Sequence, residues 1–369
     1  MLLLQKDSPV LNISENGSCQ ILDFDRLPFA LRREGVTFPE FAEWASNRAL
    51  SIGRSHAKAI LNSLGLSQTN RYAVCKACRG LSLEDAYWIR QEGDEKEWKD
   101  VNLFHNDLSL ALTELALSGS NSRQRAFEKK SVFELLPERR LKIHTPELTT
   151  LGVSAKGWIR EGEDFYLHKT GKYEIPASQI LDCLGIPHIA YEVSGEEIRD
   201  YLSEERKDWL DGVGEKMVKS RIFTNEDISL VTFEELEIFC GHYGLNPYEQ
   251  AIKIDRRSYL MMQIADYVLN NDDRHGQNWG FFMDNATGKL TGACPLFDHD
   301  RAFSAGRNLM SQTTERDMTL KDGALAALRE LNMELSGIFS MEIPDFLEEA
   351  KWEQVLDRCR ELESLARGR

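Results

Sequence analysis

The sequence predicts an α+β chain in two lobes, a small β-rich lobe followed by a mainly helical one, with a mixed α/β accessory region in front. Three observations carry this. At 369 residues the chain exceeds what one compact core holds. Strand-like runs separated by small-residue turns cluster between Thr145 and Phe223, whereas helical periodicity dominates from Phe233 onward. The helical half is interrupted by a polar loop and a hairpin between Asn270 and Phe297. The expected boundaries are an accessory region over 1–119, a charged connector over 120–144, the β-rich lobe over 145–225 and the helical lobe over 226–369.

Along the chain, Phe38-Pro39 opens a helix with proline near its start, and Ser55 to Leu64 forms a second, stopped by Gly65. Gly80 to Arg90 mixes an N-cap signal with an aromatic, strand-like end, and Trp88, Trp98 and Phe104 read as core or docking aromatics. The polar cluster Ser118 to Ser122 marks a loop. Thr149 to Gly157 is a small-residue turn, and Trp158–Arg160 and Phe165–Lys169 flank a second turn as a hairpin. Glu174 to Leu184 is helical and stopped by Gly185, Ile186 to Val193 is strand-like, Gly195 to Leu210 is an acidic helix, and Met217 to Phe223 is a strand. Thr224 to Asp227 breaks that pattern. An amphipathic run from Tyr259 to Leu269 leads into the polar loop, Ser304 to Gly323 reads as an irregular surface segment, and Phe346 to Arg367 as an amphipathic helix.

Composition narrows the function classes. A net charge of −15 without a basic tail disfavours direct nucleic-acid binding, which needs clustered Lys and Arg. No apolar run reaches the ~18–20 residues that span a bilayer, and Leu2-Leu3-Leu4 is too short for a signal-peptide core, so no membrane association is expected. Seven scattered cysteines suit reduced thiols and a cytoplasmic location. Cys75-x-x-Cys78 lacks a second ligand pair nearby for structural zinc.

The chemistry concentrates in Asp273-Arg274-His275-Gly276-Gln277-Asn278 and, after the hairpin, Asp298. An Asp, an Asn five residues on and an Asp closing the next hairpin is how a phosphotransferase holds Mg2+ and ATP. Asp273 is the expected catalytic base, taking the proton of an acceptor hydroxyl. Asn278 and Asp298 offer the hard oxygens that magnesium prefers. Arg274 and His275 are expected to support the loop, with Asp272 a bystander. Upstream, the small residues of the 149–157 turn let backbone N–H groups approach phosphate, and Lys169 ends the second strand of the hairpin, where an ammonium reaches nucleotide phosphates.

The pattern Asp273-Arg274-His275-x-x-Asn278-x-Gly280 followed by Phe297-Asp298 resembles the HipA-like branch of the protein-kinase-like fold, over about Thr145 to the C-terminus. The resemblance implies a bacterial or phage Ser/Thr protein kinase using ATP and Mg2+ on a protein carrying Ser or Thr. It implies that the 149–157 turn, with Gly152, Val153, Ser154 and Lys156, is the phosphate loop. It further implies that Lys169 contacts ATP phosphates, that Glu174 is its acidic partner, and that Phe223 and Thr224 form the adenine hinge. Some members autophosphorylate that loop, and Thr149, Thr150 and Ser154 are all candidates. The better-known toxin kinases of this branch dock a DNA-binding antitoxin on their leading domain. Met1 to Gly119 gives no sequence basis for the same contact, so an antitoxin or regulatory partner in a toxin–antitoxin system enters through the resemblance alone. Leu81 to Trp88 resembles the extra N-terminal segment of shorter bacterial HipA-like proteins.

Two rival readings stand beside this one. Phosphoinositide kinases also carry Asp-Arg-His-x-x-Asn, but their metal motif is usually Asp-Phe-Gly where this chain has Asp298-His299-Asp300, and an acidic chain suits an anionic membrane poorly. A non-catalytic nucleotide-binding module has no need of Lys169, Asp273, Asn278 and Asp298 together.

Overall fold

The computed structural model describes residues 1–119, 144–306, 309–314 and 317–368. They fall in two compact units: Met1–Thr170, Ser194–Ser229 and Met283–Lys289 in the first, and Gly171–Val193, Leu230–Phe282 and Leu290–Arg369 in the second. The connector expected over 120–144 lies outside the described residues except for His144.

In the first unit, β1 (Leu2–Gln5) pairs antiparallel with β2 (Ser8–Ile13), and β2 with β3 (Cys19–Ile21). On its other side β1 pairs with β4 (Tyr87–Arg90). Helices α1 (Phe38–Arg48), α2 (Ala57–Ser63) and α3 (Arg71–Ala77) lie between β3 and β4 in the chain, and α4 (Trp98–Val101) and α5 (Leu110–Ser118) follow β4. Pro39 fits the first turn of α1, and the Thr37 N–H donates to the Glu40 carboxylate at 2.8 Å. Trp88 and Trp98 are core residues, packed with Leu4, Leu83 and Phe165.

Phe165 belongs to a second sheet. β5 (Lys156–Glu161) and β6 (Asp164–Thr170) form the predicted hairpin, in register from Lys156 opposite Lys169 to Glu161 opposite Asp164. Gly162 turns between them at φ +66°. β6 pairs next with β8 (Met217–Arg221). The single acidic helix expected over Gly195–Leu210 is broken instead. A 3-10 turn covers Glu196–Tyr201, and α7 (Glu204–Val213) restarts where Ser203 caps it by accepting the Arg206 N–H at 3.3 Å.

The second unit begins with α6 (Glu174–Leu184), which ends as expected at Gly185 in the left-handed conformation. Only β7 (Tyr191–Val193) of the expected Ile186–Val193 strand is regular, while His188 makes an isolated parallel bridge to Leu296. β9 (Ile228–Thr232) runs into α8 (Phe233–Tyr243), whose first turn is capped by Thr232. The long α9 (Pro247–Leu269) is interrupted at Asp255, φ −153° and ψ 85°. That conformation lets the Asp255 carboxylate restart the helix by accepting the Ser258 N–H at 3.1 Å. Beyond it Met261, Met262, Ile264, Ala265, Val268 and Leu269 are buried, so the second half of α9 is a core helix. It packs against α10 (Leu320–Leu331) and α11 (Glu349–Arg367).

β10 (Gly280–Asp284) and β11 (Lys289–Ala293) form the hairpin after the polar loop. Its second strand was expected to run to Phe297, yet β11 ends at Ala293. Pro295 has no N–H to continue a ladder. The irregular segment expected over Ser304–Gly323 also stops short, because Thr319 accepts the Asp322 N–H at 3.1 Å and starts α10 at Leu320.

Candidate active site

In the second unit, α9 ends at Asn270, which adopts the left-handed conformation at φ +49°. Its side-chain amide donates to Ser304 O at 2.5 Å and Gly306 O at 2.9 Å, and the chain turns into the loop. The hub of that loop is Arg274, 1% exposed. Its Nε meets Asp266 Oδ1 at 3.1 Å, on the last full turn of α9. Its Nη1 donates to Asn278 O at 2.8 Å and to Phe297 O at 2.6 Å, and its Nη2 lies 3.1 Å from His299 Nδ1. One guanidinium therefore ties the helix, both ends of the Asp273–Asn278 turn and the segment carrying Asp298 into a single piece. Burial pushes the Asp266 carboxyl up, and Arg274 opposes that shift.

Around this hub Asp273 and Asp298 are half-buried, and Asn278 is buried. The Asp273 N–H donates to Asn271 Oδ1 at 3.3 Å. Asn278 donates its side-chain N–H to Asp273 O at 2.8 Å, which commits the amide nitrogen and leaves Oδ1 as the atom that would face a cation. His275 acts within the loop, its carbonyl accepting the Asn278 N–H at 2.9 Å and its Nδ1 the Gln277 N–H at 3.3 Å. Gly280 is required by close approach, since a Cβ there would lie 2.2 Å from Val231 O. Asp298 holds the left-handed conformation at φ +59°, with its N–H donated to the Tyr191 hydroxyl at 3.3 Å. The structure thus brings Asp273, Arg274, Asn278 and Asp298 together. Asp272, expected to face solvent, is half-buried, with Arg301 Nε 3.5 Å from its Oδ1.

The sequence names Arg274 as a loop support, and the resemblance names Glu174 only as an acidic partner for Lys169. In the structure Glu174, fully buried, accepts the His299 N–H at 2.9 Å and so holds the residue after Asp298. Asp266 carried a readable signal, as the one charged residue on the apolar stretch from Met261 to Leu269. Nothing local marks Tyr191 or His299.

The remaining site residues lie in the first unit. Gly152 has φ +94°, and a Cβ there would lie 2.4 Å from Lys156 Nζ, so the ammonium folds over the turn. Val153 is 72% exposed, Ser154 half-buried, and Lys156 and Lys169 are buried partners across the hairpin. Thr149 and Thr150 are buried and turned inward: Thr149 donates its hydroxyl to Leu81 O at 2.6 Å, and Thr150 to Pro146 O at 2.8 Å. Phe223 is half-buried. Thr224 is buried, donating its hydroxyl to Leu83 O at 2.6 Å. The Leu81–Trp88 segment thus anchors both the 149–157 turn and the 224–227 break.

No family model matches the chain, and no curated protein matches it. Solved structures do. HipA of Shewanella oneidensis MR-1, determined with HipB and operator DNA, aligns over 99% of this chain and 96% of its own, at 12% identity and a TM-score of 0.54. The chain has a HipA-like kinase fold. The proinflammatory kinase CtkA of Helicobacter pylori aligns over 57% of this chain and 90% of its own, at 16% identity and a TM-score of 0.38. At 12% identity the HipA likeness is one of fold.

The donor set suits a magnesium nucleotide. Asn278 and Asp298 present hard oxygens, and Asp298 is followed by a buried, anchored histidine that fixes its backbone. Among the described residues no group of three or more His, Cys, Asp or Glu is placed to hold a metal ion. Among the described residues no helix is long and apolar enough to cross a membrane.

Proposed function

We propose that the chain is an ATP- and Mg2+-dependent phosphotransferase, a Ser/Thr protein kinase of the HipA-like type. The observation that carries this is the Arg274 clamp, which holds the Asp273–Asn278 turn and the Phe297–His299 segment in one geometry. Asp273 receives the proton of the acceptor hydroxyl. Asn278 and Asp298 would hold Mg2+, which when bound neutralises phosphate charge. The 149–157 turn, Lys156 and Lys169 bind the phosphate tail, and Phe223 and Thr224 flank the base. Glu174 positions Asp298 through His299.

Autophosphorylation, where it occurs, falls on Ser154, because the Thr149 and Thr150 hydroxyls are buried and already donating. HipA of Shewanella oneidensis was solved with HipB, and an antitoxin-type partner for this chain is proposed on that fold likeness. The test is phosphate transfer from labelled ATP, to the chain itself and to a bacterial lysate. Asp273→Asn and Asp298→Ala each lower it at least ~100-fold while leaving the thermal melt in place. Undiminished transfer by either variant sinks the assignment.

A further inference from the structure

The accessory region makes a backbone seam with the 149–157 turn. Leu50 donates its N–H to Leu148 O at 2.8 Å, and Ser55 donates its N–H to Val153 O at 2.8 Å. Between them lies Arg54, 2% exposed. Its Nη1 donates to Glu147 O and Thr150 O, each at 3.1 Å, and its Nη2 donates to Lys156 O. Nη2 also meets Glu147 Oε2 at 2.9 Å, while Glu147 Oε1 accepts the Trp158 N–H at 2.9 Å. Burial pushes the Glu147 carboxyl up, and Arg54 opposes that shift.

The consequence follows from peptide geometry. In a trans peptide the C=O of one residue and the N–H of the next point in opposite directions. Fixing Thr150 O toward Arg54 turns the Leu151 N–H away from the accessory region. Fixing Val153 O toward Ser55 does the same to the Ser154 N–H. Among the described residues, none accepts a hydrogen bond from either N–H. Two donors flanking Gly152 are therefore oriented together, on a turn where Lys156 already places its ammonium. Two such donors beside an ammonium suit an anion.

We propose that Arg54, seconded by the Ser55 N–H, is the positioning residue of the phosphate loop: it aims the Leu151 and Ser154 N–H groups at the phosphates of a bound nucleotide. The inference rests on the reading of 149–157 as that loop. Arg54 touches no substrate and acts through the backbone it holds. Lysine at this position keeps the charge beside Glu147 but lacks the planar fork that spans the carbonyls.

The full chain is titrated by calorimetry with Mg·ATP, Mg·ADP and adenosine, comparing wild type with Arg54→Lys. Affinity for ATP and ADP falls about tenfold in the variant while adenosine binding is unchanged. An unchanged ATP affinity overturns the proposal, and so does an equal loss for adenosine, which marks a purely structural role. A second measurement needs only wild type, in case the variant does not fold. On adding Mg·ATP, hydrogen exchange slows at the amides of Leu50 and Ser55 together with those of 149–157. Slowing in 149–157 without any at Leu50 and Ser55 overturns the coupling. Wild type that binds none of the three ligands overturns the nucleotide-site reading itself, and this proposal with it.

Discussion

The Asp273–Asn278 loop and the 149–157 turn are held by the same device. In each, a buried arginine pairs with a buried carboxylate, Arg274 with Asp266 at 3.1 Å and Arg54 with Glu147 at 2.9 Å. In each, the rest of the guanidinium collects backbone carbonyls of the loop. What differs is where the arginine comes from. Arg274 lies inside the loop it holds, eight residues from its carboxylate. Arg54 lies 93 residues from its own, in another part of the chain. A loop that carries its own clamp keeps its shape wherever its helix is folded. A loop clamped from a distant segment has a shape that answers to that segment, which makes the 149–157 turn the more adjustable of the two.

The largest effect expected follows from the shared device. Arg274→Met leaves Asp266 buried and unpaired, a change that costs ~3–5 kcal/mol. Arg54→Met does the same to Glu147 and is expected to cost a similar amount, measured by urea unfolding of both variants. Replacing the carboxylate as well, as in Arg274→Met with Asp266→Leu, recovers most of the stability but none of the phosphate transfer, since the carbonyls stay unheld. If the double variant transfers phosphate normally, Arg274 is a stabilising pair and not a clamp.

The next effect separates the two units by pH. His168, on β6 beside Lys169, is 1% exposed, with Nδ1 2.9 Å from Ser194 Oγ and Nε2 3.3 Å from Glu161 Oε1. Desolvation lowers its pKa to about 4, with Glu161 and Glu197 opposing and Lys219, itself 2.6 Å from Glu161, assisting. Its folded pKa lies below the unfolded value of about 6.5, so the unfolded chain binds more protons between the two. The stability contribution is complete above pH ~6.5 and is lost as pH falls toward about 4, by up to roughly 3 kcal/mol. Urea midpoints measured across that window drop in wild type and flatten in His168→Gln. A wild-type curve that is flat from pH 7 to 4.5 contradicts the buried neutral imidazole.

What was legible in the sequence follows the same division. The Asp273–Asn278 loop could be read as a unit because its parts are local: Asp273, Asn278 and Asp298 sit at fixed spacing around one turn and one hairpin. Gly185 announced the end of α6, and the β5–β6 hairpin followed from its turn residues. The long-range supports could not be read. Arg54 follows Ser51-Ile52-Gly53 with no pattern to distinguish it from a surface arginine, and its value comes from carbonyls that only the folded chain brings near. Position along the chain marks Thr224 and Thr149, but their hydroxyls are directed by backbone carbonyls of Leu83 and Leu81, two residues apart in a segment whose sequence suggests packing or docking.

That shared segment gives the smallest and most discriminating effect. Thr149→Val and Thr224→Val each delete a buried hydroxyl donor to a carbonyl at 2.6 Å while nearly keeping side-chain shape, and each is expected to cost ~1–2 kcal/mol. If Leu81–Trp88 is a rigid shelf carrying two independent anchors, the double variant loses the sum within ~0.5 kcal/mol. If it is a movable arm, the first deletion frees it, the second costs much less, and the hydrogen exchange of β4 rises with the first. Non-additivity of that sign would mean that the two anchored turns are set together, so that the accessory region adjusts the phosphate-side turn and the Thr224 break as one unit and not through Arg54 alone.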